Sequence, residues 1–287
     1  MRISQDQIKL FKQICKYTTE ELKIFLNNFL SKFYNNIIRT KDYIIAEGDI
    51  PIALCAHMDT VALYQLTKIF YDAEEQVMWS PDLLGADDRA GVFAILLLIA
   101  HGYKPTVIFT DEEEVGGIGA KALVTRYPKF PFGKIKCIIE LDRTGSKDAV
   151  FYLCDNRKFE SYINSYGFKT NVGSFSDISV IAPKWDCAAV NLSVGYYNEH
   201  SEAEYLNFNE LFGTIEKVKK ILDDASGMPY FNYVPLKFDS INMFTRPQIP
   251  KGECTCGICM QKIGSKEKRF DAYGLIVCRK CYEEYCV

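Results

Sequence analysis

The feature that most constrains the fold is a set of short apolar runs separated by stretches with helical periodicity. The runs are bounded by turn residues, as is typical of strands buried on both faces, and lie at 52–56, 106–110, 135–141 and 188–194. The intervening helices are predicted at 89–100, 117–126, 156–166 and 207–224. Strands that alternate with helices indicate an α/β sandwich around a mostly parallel sheet.

Two amphipathic helices are predicted before the first of these strands, between Ser4 and about Tyr34. Their apolar residues recur at steps of three and four positions. Thr18, followed three residues later by Glu21, is typical of a capping box that starts the second helix. We therefore assign residues 1–40 to a helical N-terminal segment.

The composition of the chain changes after residue 224. Prolines without a clear period favour an extended strap over residues 226–249, and a cysteine-rich tail follows it. We place a domain boundary near Ile249. It separates a large domain, residues 1–249, from a small module, residues 250–287.

The overall composition excludes several classes of protein. Hydrophobic residues make up 48% of the 287 residues and charged residues 25%, so the chain is not disordered along its whole length. A net charge of −3 provides no global basic field, and we do not expect nucleic acid as a partner. The N-terminus is too polar for a secretory signal, and the longest apolar run has only ten residues. We expect no membrane insertion and a cytoplasmic location.

Only three histidines occur in the chain, so their positions are informative. His57 follows directly on the predicted strand at 52–56, and Asp59 leaves that strand end on the same side. Asp59 could accept the proton on one imidazole nitrogen while the other nitrogen binds a metal, a recurrent way of fixing a ligand histidine. A surface histidine beside a surface aspartate is the alternative.

Acidic residues crowd the next two turns. Asp87 and Asp88 lie in a glycine-flanked turn before an apolar helix, where acids are also ordinary helix-capping residues. The strand at 106–110 runs straight into four consecutive carboxylates, residues 111–114. Negative charge at the carboxyl edge of a sheet is costly without cations, and open α/β sheets bind their ligands at this edge. The sequence therefore predicts a metal site there.

Two more strands repeat the pattern. The run at 135–141 ends in Glu140 and Asp142, and the run at 188–194 is followed by a segment that contains His200. Successive strands thus each deliver a histidine or an acid to one edge. The candidate ligands are His57, Asp87, Glu113 or Glu114, Asp142 and His200. This mixture of nitrogen and carboxylate ligands suits zinc, with manganese or cobalt as alternatives.

Five motifs, HMDT, GADDRAG, TDEEEVGG, ELD and EHS, occur in this order across residues 52–205. Together they resemble the co-catalytic di-zinc exopeptidases and deacylases, a family that includes bacterial peptidase T and the zinc aminopeptidases. The resemblance implies a three-layer sandwich around a mostly parallel, mixed sheet. It also implies roles: His57 and Asp142 would hold one zinc, Glu114 and His200 the other, Asp87 would bridge them, Asp59 would orient His57, and Glu113 would be the general base.

The activity implied by this resemblance is hydrolysis of an amide or peptide bond, by an aminopeptidase or small-peptide peptidase or alternatively by a deacylase of acylated amino acids. Two bridged metals would lower the pKa of a shared water, and Glu113 would pass its proton to the leaving amine. Because residues 112–114 are all glutamates, the base could shift by one position. A degenerate member that acts as an interaction module, or a two-metal hydrolase of a non-peptide substrate, are the other hypotheses.

The chain departs from part of the family in length. The deacylase and peptidase T branch inserts a lid or dimerisation domain between its fourth and fifth ligands, but only 57 residues separate Asp142 from His200. The sequence is therefore more similar to the lidless aminopeptidase-like branch. A lidless enzyme could gate its site by forming a homo-oligomer.

Four further residues are candidates for substrate contact. Without a lid histidine, Tyr196 or Tyr197 is left to stabilise the oxyanion. Arg143 could meet a substrate carboxylate or phosphate, although a surface salt bridge is an ordinary use for it. Asp177 resembles a substrate-side position of the family.

The tail contains two C-x2-C pairs, Cys256 with Cys259 and Cys278 with Cys281, separated by 18 residues. This spacing is typical of a structural zinc held by four thiolates, and buried free cysteines are the alternative. A closed four-thiolate site has no open coordination position, so it would stabilise a zinc ribbon-like module. Basic residues in this module could recruit a protein partner, or the module could act as a strut.

Overall fold

The structure is a computed structural model that describes residues 2–62, 66–236, 254–256, 261–264, 267–272, 275–280 and 282. The chain divides into two compact units, Met1–Pro235 and Leu236–Val287. The boundary predicted near Ile249 lies outside the described residues.

The described part of the first unit contains helices and short strands in alternation. The helices are α1 (Gln5–Lys16), α2 (Thr19–Leu30), α3 (Ala86–Ala100), α4 (Ile118–Arg126), α5 (Arg157–Asn164), α6 (Asp177–Trp185) and α7 (Phe208–Asp223). The strands are β1 (Ile37–Arg39), β2 (Tyr43–Ala46), β3 (Ile50–His57), β4 (Phe70–Asp72), β5 (Val77–Trp79), β6 (Pro105–Thr110), β7 (Cys137–Arg143), β8 (Asp148–Val150), β9 (Lys169–Asn171), β10 (Ala189–Ser193), β11 (Tyr196–Tyr197) and β12 (Tyr205–Asn207).

Eight of these strands form the main sheet, in the order β1-β2-β6-β3-β7-β10-β8-β9. The four central strands β6, β3, β7 and β10 run parallel to one another, while β2 and β8 join them antiparallel. The sheet is therefore mixed and mostly parallel, as predicted. Since the central strands are parallel, their carboxyl ends meet at one edge.

Helices cover both faces of this sheet. In β3, Ile52, Leu54 and Ala56 join one hydrophobic core, whereas Ala53 and Cys55 join the other. This alternation is the pattern of a strand buried on both faces. The first core receives residues of α1, α2, α3, α5 and α7, and the second receives residues of α4 and α6. The three-layer sandwich is confirmed.

The N-terminal region matches its prediction closely, apart from its end. Thr18 accepts the N–H of Glu21, and the Glu21 side chain accepts the N–H of Thr18, so the capping box at the start of α2 is confirmed. The segment predicted to be helical through residue 40 instead ends in β1, an antiparallel edge strand beside β2. Three residues of strand are too short to leave a periodic pattern in the sequence.

Two other parts of the first unit differ from the sequence prediction. Residues 177–185, which lie outside the helices predicted from the sequence, form α6, since a short apolar run does not distinguish strand from helix. A second sheet of four short strands, in the order β11-β12-β5-β4, also escaped prediction because its strands have only two or three residues.

The strap predicted at 226–249 is described up to residue 236. Within that part, Phe231 exchanges backbone hydrogen bonds with Lys136 and Ala188, and Val234 accepts the N–H of Asp155. These residues therefore pack along the first unit in extended form. Residues 237–249 lie outside the described residues.

The described part of the second unit consists of two short hairpins. Cys254–Thr255 pairs with Lys262–Ile263, and Arg269–Ala272 pairs with Leu275–Cys278. Cys256, Ile263 and Val277 form its small buried core. Among all described residues of both units, no helix is long and apolar enough to cross a membrane.

Candidate metal centre

The carboxyl edge of the central strands gathers five of the predicted residues. His57 is the last residue of β3 and Asp142 the sixth residue of β7, both inside strands that the sequence predicted to end earlier. Asp87 is the second residue of α3, Glu114 lies in the loop after β6, and His200 follows β11. The parallel order of β6, β3 and β7 brings these elements together.

Asp87 stands between the two histidines. Its Oδ1 lies 3.1 Å from Nε2 of His57, and its Oδ2 lies 3.3 Å from Nε2 of His200. Asp142 Oδ1 lies 3.5 Å from the same His57 nitrogen, and Glu114 Oε1 lies 2.9 Å from the His200 nitrogen. The five side chains thus form two groups that share one carboxylate.

These distances fit metal coordination. Zinc binds nitrogen and oxygen ligands at about 2.0–2.2 Å in tetrahedral geometry, which places the ligand atoms about 3.3–3.6 Å apart. His57, Asp87 and Glu114 offer ligand atoms that all lie within 4.8 Å of one another, and His57, Asp88 and Asp142 do so as well. The donor set and its spacing therefore suit a zinc-type ion.

Crowded charge at this edge shifts several pKa values. Burial alone would lower the pKa of His57, but Asp142, Asp59 and Asp87 raise it well above its usual range. Burial and the Asp87 charge raise the pKa of Glu114 to about 7, and the same two causes raise that of Asp142. These carboxylates repel one another in a poorly solvated setting, which a bound cation would relieve.

Three other carboxylates at this edge accept hydrogen bonds from backbone N–H groups. We call Asp59, Asp88 and Glu204 the supporting carboxylates, because each accepts two backbone N–H groups at 2.6 to 3.2 Å. The donors are Glu113 and Glu114 for Asp59, His57 and Gly91 for Asp88, and Gly85 and Asp87 for Glu204. Asp59 additionally lies 3.3 Å from Nδ1 of His57, as expected of a residue that orients this ring.

Sequence reasoning missed the roles of Asp88 and Glu204. Asp88 was identified only as a neighbour of Asp87, and its peptide bond to Asp87 is cis. Glu204 fixes the loop of Asp87 although 117 positions separate the two residues. Acidic residues follow His200 in the sequence, and no pattern there distinguishes Glu204 from the others.

The four consecutive acidic residues at 111–114 have different surroundings. Asp111 forms an ion pair of 2.6 Å with the buried Lys23, and Glu112 is exposed. Glu114 contacts His200, and the side chain of Glu113 is half-buried. Burial raises the pKa of Glu113, the charge of His57 lowers it, and the charge of Asp87 raises it.

The two candidate tyrosines are separated by the structure. Tyr196 is buried, and its hydroxyl donates to Asp142 Oδ1 at 3.3 Å. Tyr197 donates to Glu210 at 2.6 Å and stacks on Tyr205. Only the first of these hydroxyls reaches one of the predicted ligands.

The remaining substrate candidates lie at different depths. Arg143 ends β7 and donates to the Val172 carbonyl at 3.4 Å. Asp177 is fully buried at the start of α6, where it accepts the hydroxyl of Thr110, so the structure does not expose it to substrate.

In the second unit, Cys256 and Cys278 lie together. The backbone N–H of Cys278 donates to Sγ of Cys256 at 3.3 Å, and Cys256 is buried. The other two predicted thiolate ligands, Cys259 and Cys281, lie outside the described residues.

Part of the first unit matches a known peptidase family. Residues 39–179, just under half of the chain, match the family profile described as peptidase family M28. The chain is a zinc-dependent exopeptidase that is similar to this family over those residues. The matched region of this exopeptidase contains the histidine-bearing strand end, both acidic turns and Asp142, and it stops before His200.

Solved peptidases share its fold. A tripeptidase from Staphylococcus aureus superposes with a TM-score of 0.64 at 14% identity, over 79% of this chain and 100% of that chain. The aminopeptidase PepT from Bacillus cereus gives 0.59 at 17% identity, over 78% and 99%.

A third solved structure comes from an archaeon. The TET1 peptidase from Pyrococcus horikoshii, reported to assemble into a tetrahedron or a large octahedral shell, superposes with a TM-score of 0.53 at 18% identity, over 76% of this chain and 98% of that chain. At these low sequence identities, the similarity to the three structures shows a shared fold alone. No curated protein sequence matches the chain.

Proposed function

We propose that this exopeptidase is an aminopeptidase or small-peptide peptidase that uses two metal ions. The observation that carries the proposal is the position of Asp87, whose two oxygens lie 3.1 and 3.3 Å from nitrogens of different histidines. A carboxylate in that position could serve both groups of ligands. His57 and Asp142 would hold one ion with it, and Glu114 and His200 would hold the other.

Zinc at these positions would supply Lewis acidity for a water and for the substrate carbonyl, with manganese or cobalt as alternative ions. Glu113 takes the proton of the attacking water and passes it to the leaving amine. Asp59 holds His57 in one ring orientation, since its carboxylate faces Nδ1 at 3.3 Å while Nε2 faces the ligands. Tyr196 donates to Asp142 and borders the reacting centre.

The first experiment combines metal analysis with hydrolysis of short peptides. We expect zinc-loaded protein to release N-terminal residues from di- and tripeptides, and chelation followed by dialysis to abolish the reaction. Glu113→Gln should lower kcat by about 10²–10⁴-fold while the zinc content stays unchanged. Glu112→Gln, at an exposed neighbouring position, is the matched control and should keep full activity.

Other outcomes would point to the alternative hypotheses. Hydrolysis of acylated amino acids without peptide cleavage would identify a deacylase, and hydrolysis of a phosphoester alone would identify a non-peptide hydrolase. Zinc-loaded protein that cleaves none of these substrates would favour the degenerate, interaction-only hypothesis. Equal losses in Glu112→Gln and Glu113→Gln would overturn the assignment of the base.

We also propose that the tail holds a structural zinc between Cys256, Cys259, Cys278 and Cys281. The N–H of Cys278 donates to the Cys256 sulfur, an interaction that stabilises a thiolate over a thiol. Together with two co-catalytic ions this predicts about three zinc ions per chain. Cys278→Ser should remove about one ion and leave peptide cleavage intact, and loss of a co-purifying protein in the same variant would support a partner-binding role for the tail.

Self-association is a further proposal. The TET1 peptidase of similar fold is reported to assemble into large shells. In this chain Val172, Leu153 and Val115 are large apolar residues with 83%, 67% and 66% exposure, which a subunit contact would cover. Light scattering of the zinc-loaded protein should give a mass above 32.8 kDa, and a monomer at micromolar concentration would overturn the proposal.

A further inference from the structure

A cavity of about 240 Å³ is lined in part by residues that adjoin those of the candidate metal centre along the chain. Its lining includes Tyr17, Thr18 and Thr19 of the link from α1 to α2, Thr60, which follows Asp59, and Gly85 and Arg89 at the start of α3. None of these residues has a role in the mechanism above.

Arg89 gives this cavity a buried positive charge. The side chain is only 3% exposed, and its Nη2 donates to the Tyr17 carbonyl at 3.2 Å. Its Nε and Nη1 find no hydrogen-bond acceptor among the described residues. Buried guanidinium groups normally engage their N–H donors, and a carboxylate oxygen is the strongest acceptor that either of these two nitrogens could meet.

The N-terminus of α2 lies on the same cavity. Thr18 caps this 12-residue helix by accepting the N–H of Glu21. Helix geometry leaves the N–H groups of Thr19 and Glu20 without an intrahelical acceptor, and the helix dipole favours an anion at this end. A buried arginine and a helix N-terminus therefore present donors to one cavity.

The cavity is close enough to the metal centre to receive part of a peptide. Arg89 is two residues from Asp87, so their Cα atoms are at most about 7.6 Å apart, and Thr60 adjoins Asp59. An extended peptide advances about 3.3–3.6 Å per residue. A carboxylate one or two residues beyond the scissile bond therefore falls within reach of this wall.

We propose that this cavity binds the carboxylate of a short peptide substrate through Arg89 and the N-terminus of α2. The proposal rests on the proposed peptidase function and specifies its substrate class. The carboxylate is either the C-terminus of a di- or tripeptide or an acidic side chain next to the scissile bond.

The first test compares matched peptides. Leu-Gly-Gly should be cleaved with a KM about 10- to 100-fold lower than its C-terminal amide, since a charge-assisted hydrogen bond is lost on amidation. A lower KM for Leu-Glu amide than for Leu-Gln amide would show that an acidic side chain is the bound group. Equal KM values within both pairs would overturn the proposal.

Two sets of variants locate the effect. Arg89→Met should abolish the difference between acid and amide, and Arg157→Met, a surface arginine with an 83% exposed side chain, should keep it. Thr19→Glu places a carboxylate on the cavity wall, and it should also abolish the difference between acid and amide. The first turn of a helix favours acidic residues, so this variant should fold. Thr19→Gln is its control and should retain the difference. The Thr19 pair decides the question even if Arg89→Met does not fold.

Arg143 is an alternative residue that could bind the substrate carboxylate. If Arg143→Met removes the preference while Thr19→Glu keeps it, the bound carboxylate lies at Arg143 and the proposal is wrong.

A binding measurement separates failure of this proposal from failure of the peptidase function. The probe is N-acetylglycylglycine, titrated by calorimetry into chelated, metal-free full-length protein, with its C-terminal amide as control. We expect the acid to bind at least about tenfold more tightly than the amide, and Thr19→Glu to remove the difference. Preferential binding without any peptide cleavage would refute the peptidase function and keep the anion site, while equal binding would refute the anion site alone.

Discussion

Two sets of carboxylates crowd the same edge of the main sheet, and they are held differently. The supporting carboxylates Asp59, Asp88 and Glu204 each accept two backbone N–H groups. A second set, which we call the histidine-facing carboxylates, consists of Asp87, Glu114 and Asp142. Their oxygens lie 2.9 to 3.5 Å from the Nε2 atoms of His57 and His200.

The difference indicates which carboxylates are placed to bind a cation. A carboxylate that accepts two backbone N–H groups fixes the loop that provides those groups, although burial still raises the pKa of Asp88, and raises that of Glu204 to about 7. A carboxylate whose oxygens face histidine nitrogens is placed to share a cation with those nitrogens. We infer that the first set positions the second, and that the second set binds the ions.

The largest expected effect comes from the carboxylate shared by both histidines. Asp87→Asn removes a charge that both proposed metal sites would share, so the first unit should lose most of its zinc. Because the ions contribute several kcal/mol of transition-state stabilisation, kcat/KM should fall by at least about 10³-fold. Elemental analysis and peptide hydrolysis measure the two effects.

Asp6→Asn, at a 95% exposed side chain of α1, is the control and should change neither quantity. Retention of both zinc ions in Asp87→Asn would contradict the assignment of Asp87 as the bridge. It would also remove the distinction between the two sets.

A smaller effect is expected from a supporting carboxylate. Glu204→Ala leaves the N–H groups of Gly85 and Asp87 without their acceptor and loosens the loop of Asp87. Zinc affinity should fall by about 10- to 100-fold, as is usual when a residue that holds a ligand is lost. Glu204→Gln keeps one good acceptor and should lose less.

Titration against a competing zinc chelator gives the affinities. If Glu204→Ala emptied the site as completely as Asp87→Asn, Glu204 would belong to the ligands, and the separation of the two sets would be wrong.

The sequence predicted the histidine-facing set but only part of the supporting set. Glu114 and Asp142 follow or end short apolar runs, and Asp87 lies in an acidic turn before an apolar helix. Parallel strands bring their carboxyl ends to one edge, so spacing along the chain carries much of the information. Glu204 acts on a loop 117 positions away through backbone atoms, which leave no mark in the side-chain pattern. Asp88 was visible only as half of an acidic pair.

The fold divides in the same way. Short apolar runs predicted the central strands, because burial on both faces of the sheet selects apolar residues, and helical periodicity predicted most helices. The short strands of the second sheet and of β1 have two or three residues each, which is less than one period of any pattern. Their positions follow from pairing with distant partners rather than from local preference.

Tyr196 and Tyr197 offer a test of intermediate size within one two-residue strand. The Tyr196 hydroxyl donates to the histidine-facing Asp142, whereas the Tyr197 hydroxyl donates to Glu210. Tyr196→Phe should lower kcat/KM by about tenfold, since one hydrogen bond at the centre is lost. Tyr197→Phe is the matched control and should leave kcat/KM unchanged.

Steady-state kinetics on one dipeptide measures both variants. A larger loss in Tyr197→Phe than in Tyr196→Phe would show that distance to Asp142 does not decide which hydroxyl matters.

The smallest expected effect comes from a helix cap in which a side chain accepts a backbone N–H group, as the supporting carboxylates do. Ser4 caps α1 by accepting the N–H of Gln7 at 3.2 Å on an exposed surface. Ser4→Ala should cost about 1 kcal/mol of stability and lower Tm by about 2–4 °C, while Ser4→Asp should keep the cap. Thermal unfolding checks both values.

Zinc affinity should not change, because Ser4 positions no ligand. If Ser4→Ala weakened zinc binding as Glu204→Ala does, the Glu204 effect would reflect general stability, and the supporting carboxylates would have no specific role in holding the metal centre.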